Sequence, residues 1–328
     1  LSERIAVVST SYPRAAGDAA GHFVAAEVKR LVRAGNEVHV FAPGAGETTR
    51  DDARLHWFLD YGAFGFPGAL PRLRDNPLRL MGAAHFALRA AHALGASAPF
   101  TRVQAHFLLP SAWPIVALCG RAQRLAELEL VGHGSDVRLF CRLPALLRRR
   151  IARRWLHHGA RVRVTSRELA ELLGRASPEL SCAIYVAPSP IDVDDVPSRA
   201  AARARLGLDA DANLAVIVAR LVPGKRVDVA LRALALLEDL RVIVIGDGPE
   251  LSALRAAFPR ARFTGQLPRP EALAFIAAAN VLVSASAHEG APSVVREARA
   301  LGVPVVAVAA GDLTAWAETD LGLLVARA

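Results

Sequence analysis

Cysteine is scarce in this chain: Cys119, Cys141 and Cys182 are the only three, and none has the spacing of a zinc-ligand pair or a redox motif. They read as buried thiols of a reducing cytoplasm. Long apolar runs are missing as well. The longest uncharged stretches are interrupted by Gly, Pro, Ser or His and alternate with helical patterns, so no membrane-spanning helix is expected. No basic-then-apolar leader precedes the first apolar segment, so nothing marks secretion and a cytoplasmic location is expected. A G-x-G-x-x-G fingerprint is absent, which weighs against a dinucleotide site. Asp192-Val193-Asp194 has a metal-diphosphate spacing but lies in a proline-flanked linker, and it reads as structural. No metal and no cofactor are expected.

The chain is 53% hydrophobic and 22% charged, a globular composition. Its 328 residues suffice for two domains with full cores. The net charge of +9 is unevenly placed. Residues 191–328 hold 15 Lys+Arg against 16 Asp+Glu, so residues 1–190 hold 25 against 15 and carry the whole excess. That asymmetry points to an acidic partner for the first half: anionic lipid, an acidic acceptor or nucleic acid.

The most informative stretch is residues 281–305, which read as strand, loop, helix and strand. Residues 281–284 are short, apolar and β-branched, as in a buried parallel strand. Pro292 suits a first helical position, Gly302 a left-handed cap, and Pro304 stops the helix. Glu289 on the loop and Glu297 on the helix frame the backbone N–H groups of residues 291–294, an anion site at a helix N-terminus. Carboxylates on both sides of a phosphate site suit a ligand with hydroxyls at both ends of a phosphate, as in a nucleoside diphosphate sugar.

Other segments fit that layout. A strand over residues 214–219 runs into Arg220-Leu221-Val222-Pro223-Gly224-Lys225, and two cations five residues apart can clamp one diphosphate. A strand over residues 242–245 enters the tight turn Gly246-Asp247-Gly248-Pro249. In the first half, residues 5–9 and 38–41 flank a helix as a βαβ unit, with Gly17 and Gly21 in the loop before it. A strand ending at Val131 feeds His133-Gly134-Ser135-Asp136, which places an imidazole at a strand's carboxyl end. His106 also ends a strand. Residues 44–80 show no clear period. Residues 137–167 hold ten arginines and no acid, with an apolar stripe of Leu143, Leu147, Ile151 and Trp155.

Glu289-Gly290-Ala291-Pro292, Glu297-Ala298 and Gly302-x-Pro304-Val305, with the segments above, resemble the GT-B fold retaining glycosyltransferases of family 4, the glycosyl transferases group 1. The resemblance runs through nearly all of the chain and is strongest over residues 214–308. It implies two doubly wound parallel α/β (Rossmann-like) domains facing across a cleft, an acceptor-side domain at 1–188 and a nucleotide-sugar-binding domain at 189–328. It implies catalytic roles for His133, Arg220, Lys225 and Glu289. It places Gly21, Gly17, Asp136, Gly246, Gln266, Leu267, Gly290, Ala291, Pro292, Ser293 and Glu297 at the substrate or nucleotide. Three features depart from the family. The usual adjacent glycines are absent near Gly21, Pro188-Ser189-Pro190 replaces Pro-Asn-Gly at the hinge, and the sequence stops after the last strand.

The reaction so implied is metal-independent hexosyl transfer from a nucleotide sugar to a lipid-linked, polysaccharide or small-molecule acceptor, with retention. A nucleotide-sugar epimerase on the same fold is the nearer alternative. A non-catalytic basic protein binding membrane or nucleic acid is the other, with nucleic acid disfavoured because only Trp155 offers a stacking platform among the arginines. An anionic membrane surface, met through Arg148, Arg149, Arg150, Arg153 and Arg154, is the expected further partner, at the inner face of the membrane.

Overall fold

The computed structural model describes residues 2–15, 18, 20–65, 69–117 and 126–326; Gly17 and Cys119 lie outside them. The chain divides into two compact units, Leu1–Pro190 and Ile191–Ala328, two residues after the boundary read from the sequence.

The first unit runs β1 (Arg4–Ser9), α1 (His22–Arg33), β2 (Glu37–Pro43), β3 (Thr49–Arg50), β4 (Ala53–Phe58), α2 (Ala69–Asp75), α3 (Arg79–Ala96) and β5 (Arg102–His106). A broken helical segment, Leu108–Val116, follows. Then come β6 (Glu127–Gly132), α4 (Ser135–Cys141), α5 (Ala145–His157), β7 (Arg161–Val164), α6 (Arg167–Ala176) and β8 (Ile184–Val186). The strand order is β3-β4-β2-β1-β5-β6-β7-β8, parallel except for the β3–β4 pair. Alternate residues of the central strands serve opposite faces, because side chains alternate along a strand. Ala6, Val8, Val103, Ala105, Leu130 and Val162 pack under α3, α5 and α6. Ile5, Val7, Val38 and Val40 pack under Val24, Val28 and Leu31 of α1.

The second unit runs α7 (Arg199–Arg205), β9 (Asn213–Val218), α8 (Val227–Leu234), β10 (Leu240–Ile245), α9 (Leu251–Ala257) and β11 (Arg262–Gly265). It continues with α10 (Arg269–Ala278), β12 (Val281–Ser284), α11 (Ser293–Ala300), β13 (Val305–Val308), α12 (Leu313–Ala317) and β14 (Leu323–Ala326). Its six strands are all parallel, in the order β11-β10-β9-β12-β13-β14. Leu214, Val216, Leu282 and Val305 face Phe275, Ile276 and Val295, while Ala215, Ile217 and Val244 face Val227, Leu231 and Leu254.

In each unit the strand order reverses at one place: between β1 and β5, and between β9 and β12. Loops leaving the carboxyl ends of strands diverge at such a point and leave a crevice there.

Three sequence expectations change. Pro292 is the residue before α11 rather than its first helical residue, with ψ at 116°. Cys182 is exposed and Cys141 half-buried, so these two are not core thiols. Arg148 does not face outward with its neighbours: its guanidinium donates to the carbonyls of Ala176, Cys141 and Leu143, at 2.8, 3.1 and 2.8 Å.

Candidate functional site

At the second unit's switch point, the loop after β9 meets the loop after β12. Residues Pro223–Lys225 form a single tight helical turn, and the Gly224 carbonyl accepts the Ala287 N–H at 3.0 Å. That bond draws the Lys225 ammonium to 2.5 Å from Glu289 Oε1. Lys225 is one of only two lysines among forty cationic residues, so a compact, three-donor charge sits here rather than a planar fork. Glu289 is held from behind as well. A side chain at Gly311, where φ is +55°, would stand 2.5 Å from the Glu289 carbonyl oxygen, so only glycine lets that turn close.

Arg220 leaves the carboxyl end of β9 exposed to solvent. Its backbone position is fixed by the neighbouring turn: Leu221 N–H donates to Asp247 at 2.9 Å, and Glu250 N–H to Leu221 at 3.1 Å. A Cβ on Gly246 would lie 1.9 Å from the Ala219 oxygen, and one on Gly248 2.3 Å from the Leu221 oxygen. The Gly246-Asp247-Gly248 turn is thus a wedge against the Arg220 backbone. Gly246 N–H also bonds the Gly265 carbonyl at 2.9 Å, which sets exposed Gln266 and half-buried Leu267 at the edge of the same crevice.

Gly290, Ala291, Pro292 and Ser293 carry the chain from Glu289 into α11, whose start has neither a side-chain cap nor an acid in its first turn. First-turn N–H groups with the dipole's positive end make such a start favourable to anions. Glu297, one turn on, is buried and receives Arg269 Nη1 at 2.8 Å. Arg269 Nη2 also donates to the Asp192 carbonyl at 3.0 Å. Sequence reading missed Arg269, because its partners lie 28 and 77 positions away and no local pattern pairs them.

The first unit's switch point gathers a different set. Gly21 starts α1 at φ 68°, and a Cβ there would meet the Ser11 oxygen at 2.3 Å. His106 at the end of β5 is fully buried, and its Nδ1 lies 3.1 Å from Nε2 of half-buried His133. Phe23 and Phe107 pack on His133 with ring centres 4.6 and 4.8 Å away. Phe107 holds a φ of 77°, a strained backbone beside the pair. Burial above all, then the nearby Arg163 charge, pushes His106 down to about 3. Burial, His106 and Arg163 hold His133 well below its ordinary value too, so both imidazoles are neutral at pH 7. His106 Nε2 has no partner among the described residues. A buried lone pair is less costly to orphan than a buried N–H. The His106 proton therefore belongs on Nδ1, donated to His133 Nε2, and His133 carries its own proton on Nδ1.

Asp136 is buried and spent on backbone. Its Oδ1 accepts from the N–H groups of His133 and Gly134 at 3.0 Å each, and its Oδ2 from Leu108 at 2.7 Å. Burial nonetheless raises its pKa, and the backbone bonds oppose the rise. It shapes the His133 loop. Behind the histidines, buried Glu27 of α1 pairs with Arg163 at 2.8 Å and Arg30 at 2.6 Å. Burial pushes the Glu27 carboxyl up, but the two guanidiniums bring it below the ordinary range. The Arg163 charge is thereby fixed next to the imidazoles, where it adds to the burial that keeps them neutral.

Among the described residues no group of three or more His, Cys, Asp or Glu side chains comes together as a metal site. No helix among them is long and apolar enough to cross a membrane.

Residues 198–325 match the family described as Glycosyl transferases group 1. A GDP-mannose-dependent alpha-mannosyltransferase of Mycolicibacterium smegmatis is 40% identical over 107 residues, 32% of this chain and 28% of that protein. A glycosyltransferase of Bacillus subtilis named for teichuronic acid biosynthesis is 31% identical over 217 residues, 65% of this chain and 54% of that protein. The chain therefore spans only about a quarter to a half of the length of these relatives. Among solved structures, Anabaena HepE in complex with UDP and glucose is similar with a TM-score of 0.68 at 17% identity, covering 99% of this chain and 86% of that one. That likeness is one of fold, the GT-B fold, with two parallel-sheet α/β units.

Proposed function

We propose, for a chain whose residues 198–325 belong to the group 1 glycosyl transferases, that the protein transfers a sugar from a nucleoside diphosphate sugar with retention at the anomeric carbon. The observation that carries this reading is the meeting of Lys225 with Glu289 at the switch point, beside an α11 start with no side-chain cap. A cation, a carboxylate and backbone N–H groups within one crevice can hold a diphosphate and a hydroxyl-bearing sugar together. The name of the mannosyltransferase and the UDP in HepE support a nucleotide-linked donor.

Breaking the bond from anomeric carbon to phosphate oxygen leaves charge on the diphosphate. Once the donor is bound, Arg220, Lys225 and the first N–H groups of α11 meet that charge without further reorganisation, which is where such a site lowers the barrier. The diphosphate displaces Glu289 from the Lys225 ammonium, and the carboxylate turns to the sugar hydroxyls. Glu297, oriented by Arg269, takes the ribose hydroxyls. Gly246, Gln266 and Leu267 border the nucleotide, with Gly290, Ala291, Pro292 and Ser293 around the phosphates. His133, neutral with its proton on Nδ1, acts as a hydrogen-bond donor and not as a base. The departing phosphate oxygen takes the acceptor's proton. Gly21 allows close backbone approach on the acceptor side, and Asp136 positions His133.

The acidic partner of the first unit is proposed to be an anionic membrane surface at its cytoplasmic side. Arg149, Arg150 and Arg153 are exposed on α5 and each contributes about 1 kcal/mol near such a surface. Arg154 is exposed and also donates to the Ala117 carbonyl at 2.7 Å.

The deciding experiment screens UDP-, GDP-, ADP- and TDP-sugars for thermal shift and slow hydrolysis, with the product anomer read by NMR. One nucleotide sugar should stabilise the protein and be cleaved with retention, and Glu289→Ala should still bind it but not turn it over. No shift and no cleavage with any donor would end the reading.

A further inference from the structure

The outward half of α3 is apolar where a helix of this kind is normally polar. Leu80, Met81, Ala84 and Leu88 fall at i, i+1, i+4 and i+8 and share one face. Leu80 is 58% exposed, Met81 72% and Leu88 62%. Leu78, just before the helix, is 73% exposed, and Tyr61 leans against His85 at a ring distance of 5.5 Å. The inward face is satisfied separately, with Phe86, Ala90 and Leu94 in the core. A contiguous apolar stripe left outside marks an interaction surface.

Its surroundings select the partner. No acidic residue occurs anywhere from Asn76 to Ala126. Exposed Arg74, Arg89 and His92 flank the stripe. α3 and α5 bury their inner sides in the same core on the same face of the sheet, so both present their outer sides in that direction. Exposed Arg149, Arg150 and Arg153 of α5 therefore lie on the face that carries the stripe. Apolar side chains with cations on the same face are the pattern of a helix seated in a lipid headgroup layer.

We infer that α3 is the inserting element of a membrane-docking face: Leu80, Met81 and Leu88 enter the acyl boundary of an anionic bilayer while the α5 arginines hold its headgroups. This rests on the anionic-surface reading given above and adds to it the segment that penetrates.

The test uses the full chain and vesicles of phosphatidylcholine with and without phosphatidylglycerol. Met81→Glu/Leu88→Glu should weaken co-sedimentation with the anionic vesicles about tenfold or more. The melting temperature and donor hydrolysis should not change, since both positions are exposed and outside the site. Met81→Trp should gain fluorescence quenching by lipids brominated in the acyl chain. Undiminished binding of the double variant overturns insertion. Binding of Met81→Trp without acyl-chain quenching does the same, leaving surface adsorption by the arginines. No binding of the wild type to either vesicle overturns both membrane readings and leaves the glycosyl-transfer reading untouched. A wild-type dimer that the double variant dissociates would assign the stripe to a second copy of the chain and overturn the inference.

Discussion

Replacing Lys225 with alanine removes a cation in contact with Glu289 and tests the proposed chemistry directly. The ammonium is 2.5 Å from the carboxylate and its side chain is 21% exposed, so it acts in a partly desolvated site. At about 4 Å from a phosphate charge, such a cation contributes about 4 kcal/mol of Coulomb attraction at an effective dielectric near 20. Much of that already favours the bound diphosphate and shows in donor affinity. Only the part responding to charge built up on bond breaking appears in kcat. Deleting one preorganised donor from a comparable anionic transition state costs about 2.7–4 kcal/mol, or 10²–10³ in rate. A portion of that, a loss of about tenfold to a hundredfold in kcat, is expected here because Arg220 and the α11 N–H groups remain. The assay is transfer or donor hydrolysis at saturating donor, with kcat and KM separated and the melting temperature as a control. Lys225→Arg should recover only part of the loss, because a planar guanidinium does not fit where a compact ammonium did. An unchanged kcat in a saturated, folded Lys225→Ala variant would refute the diphosphate clamp.

Three further outcomes follow from geometry. Gly246→Ala places a methyl 1.9 Å from the Ala219 oxygen at a φ of 137°, so it should cost about 1–3 kcal/mol in urea unfolding and weaken donor binding by parting the two loops. His106 has a folded pKa of about 3 against an ordinary 6.5, so the unfolded chain binds a proton that the folded chain refuses between those values. Stability should therefore be full above pH 6.5 and decline on acidification through that window, by about 1.4 kcal/mol per pH unit for each such histidine. His106→Phe should flatten the slope in unfolding titrations. Arg148→Ala should lower the melting temperature by orphaning three carbonyls, whereas Arg149→Ala should leave it unchanged and weaken only vesicle binding.

Local chemistry made much of the second unit readable. Short apolar strands, the glycines at 246, 248 and 302 and the proline at 304 each report a backbone need at their own position. Lys225 and Glu289 were separately visible, yet their contact depends on the Gly224–Ala287 bond, which no spacing announces. β4 escaped because it buries only Ala53 and Leu55 among Arg54 and His56, an alternation hidden by the surrounding aromatics. The clusters Arg269–Glu297, Glu27–Arg163 and His106–His133 join elements distant in the chain, and only the strand order brings them together. α3 carries Phe86, Ala90 and Leu94 at helical spacing on its inward face. Its outward apolar half became meaningful only once the inward half was seen to be full.

Placing the chemistry at strand carboxyl ends leaves the opposite ends of both sheets without assigned work. Residues 236–239, between α8 and β10, lie on that far side of the second unit and are exposed, with Leu236 at 83%. Chain opened or extended there disturbs no loop that touches the crevice. A fluorescent reporter or affinity handle grafted at this turn would move with the donor-binding unit while staying clear of the reacting sugar. It offers a place from which to watch or immobilise the protein during turnover.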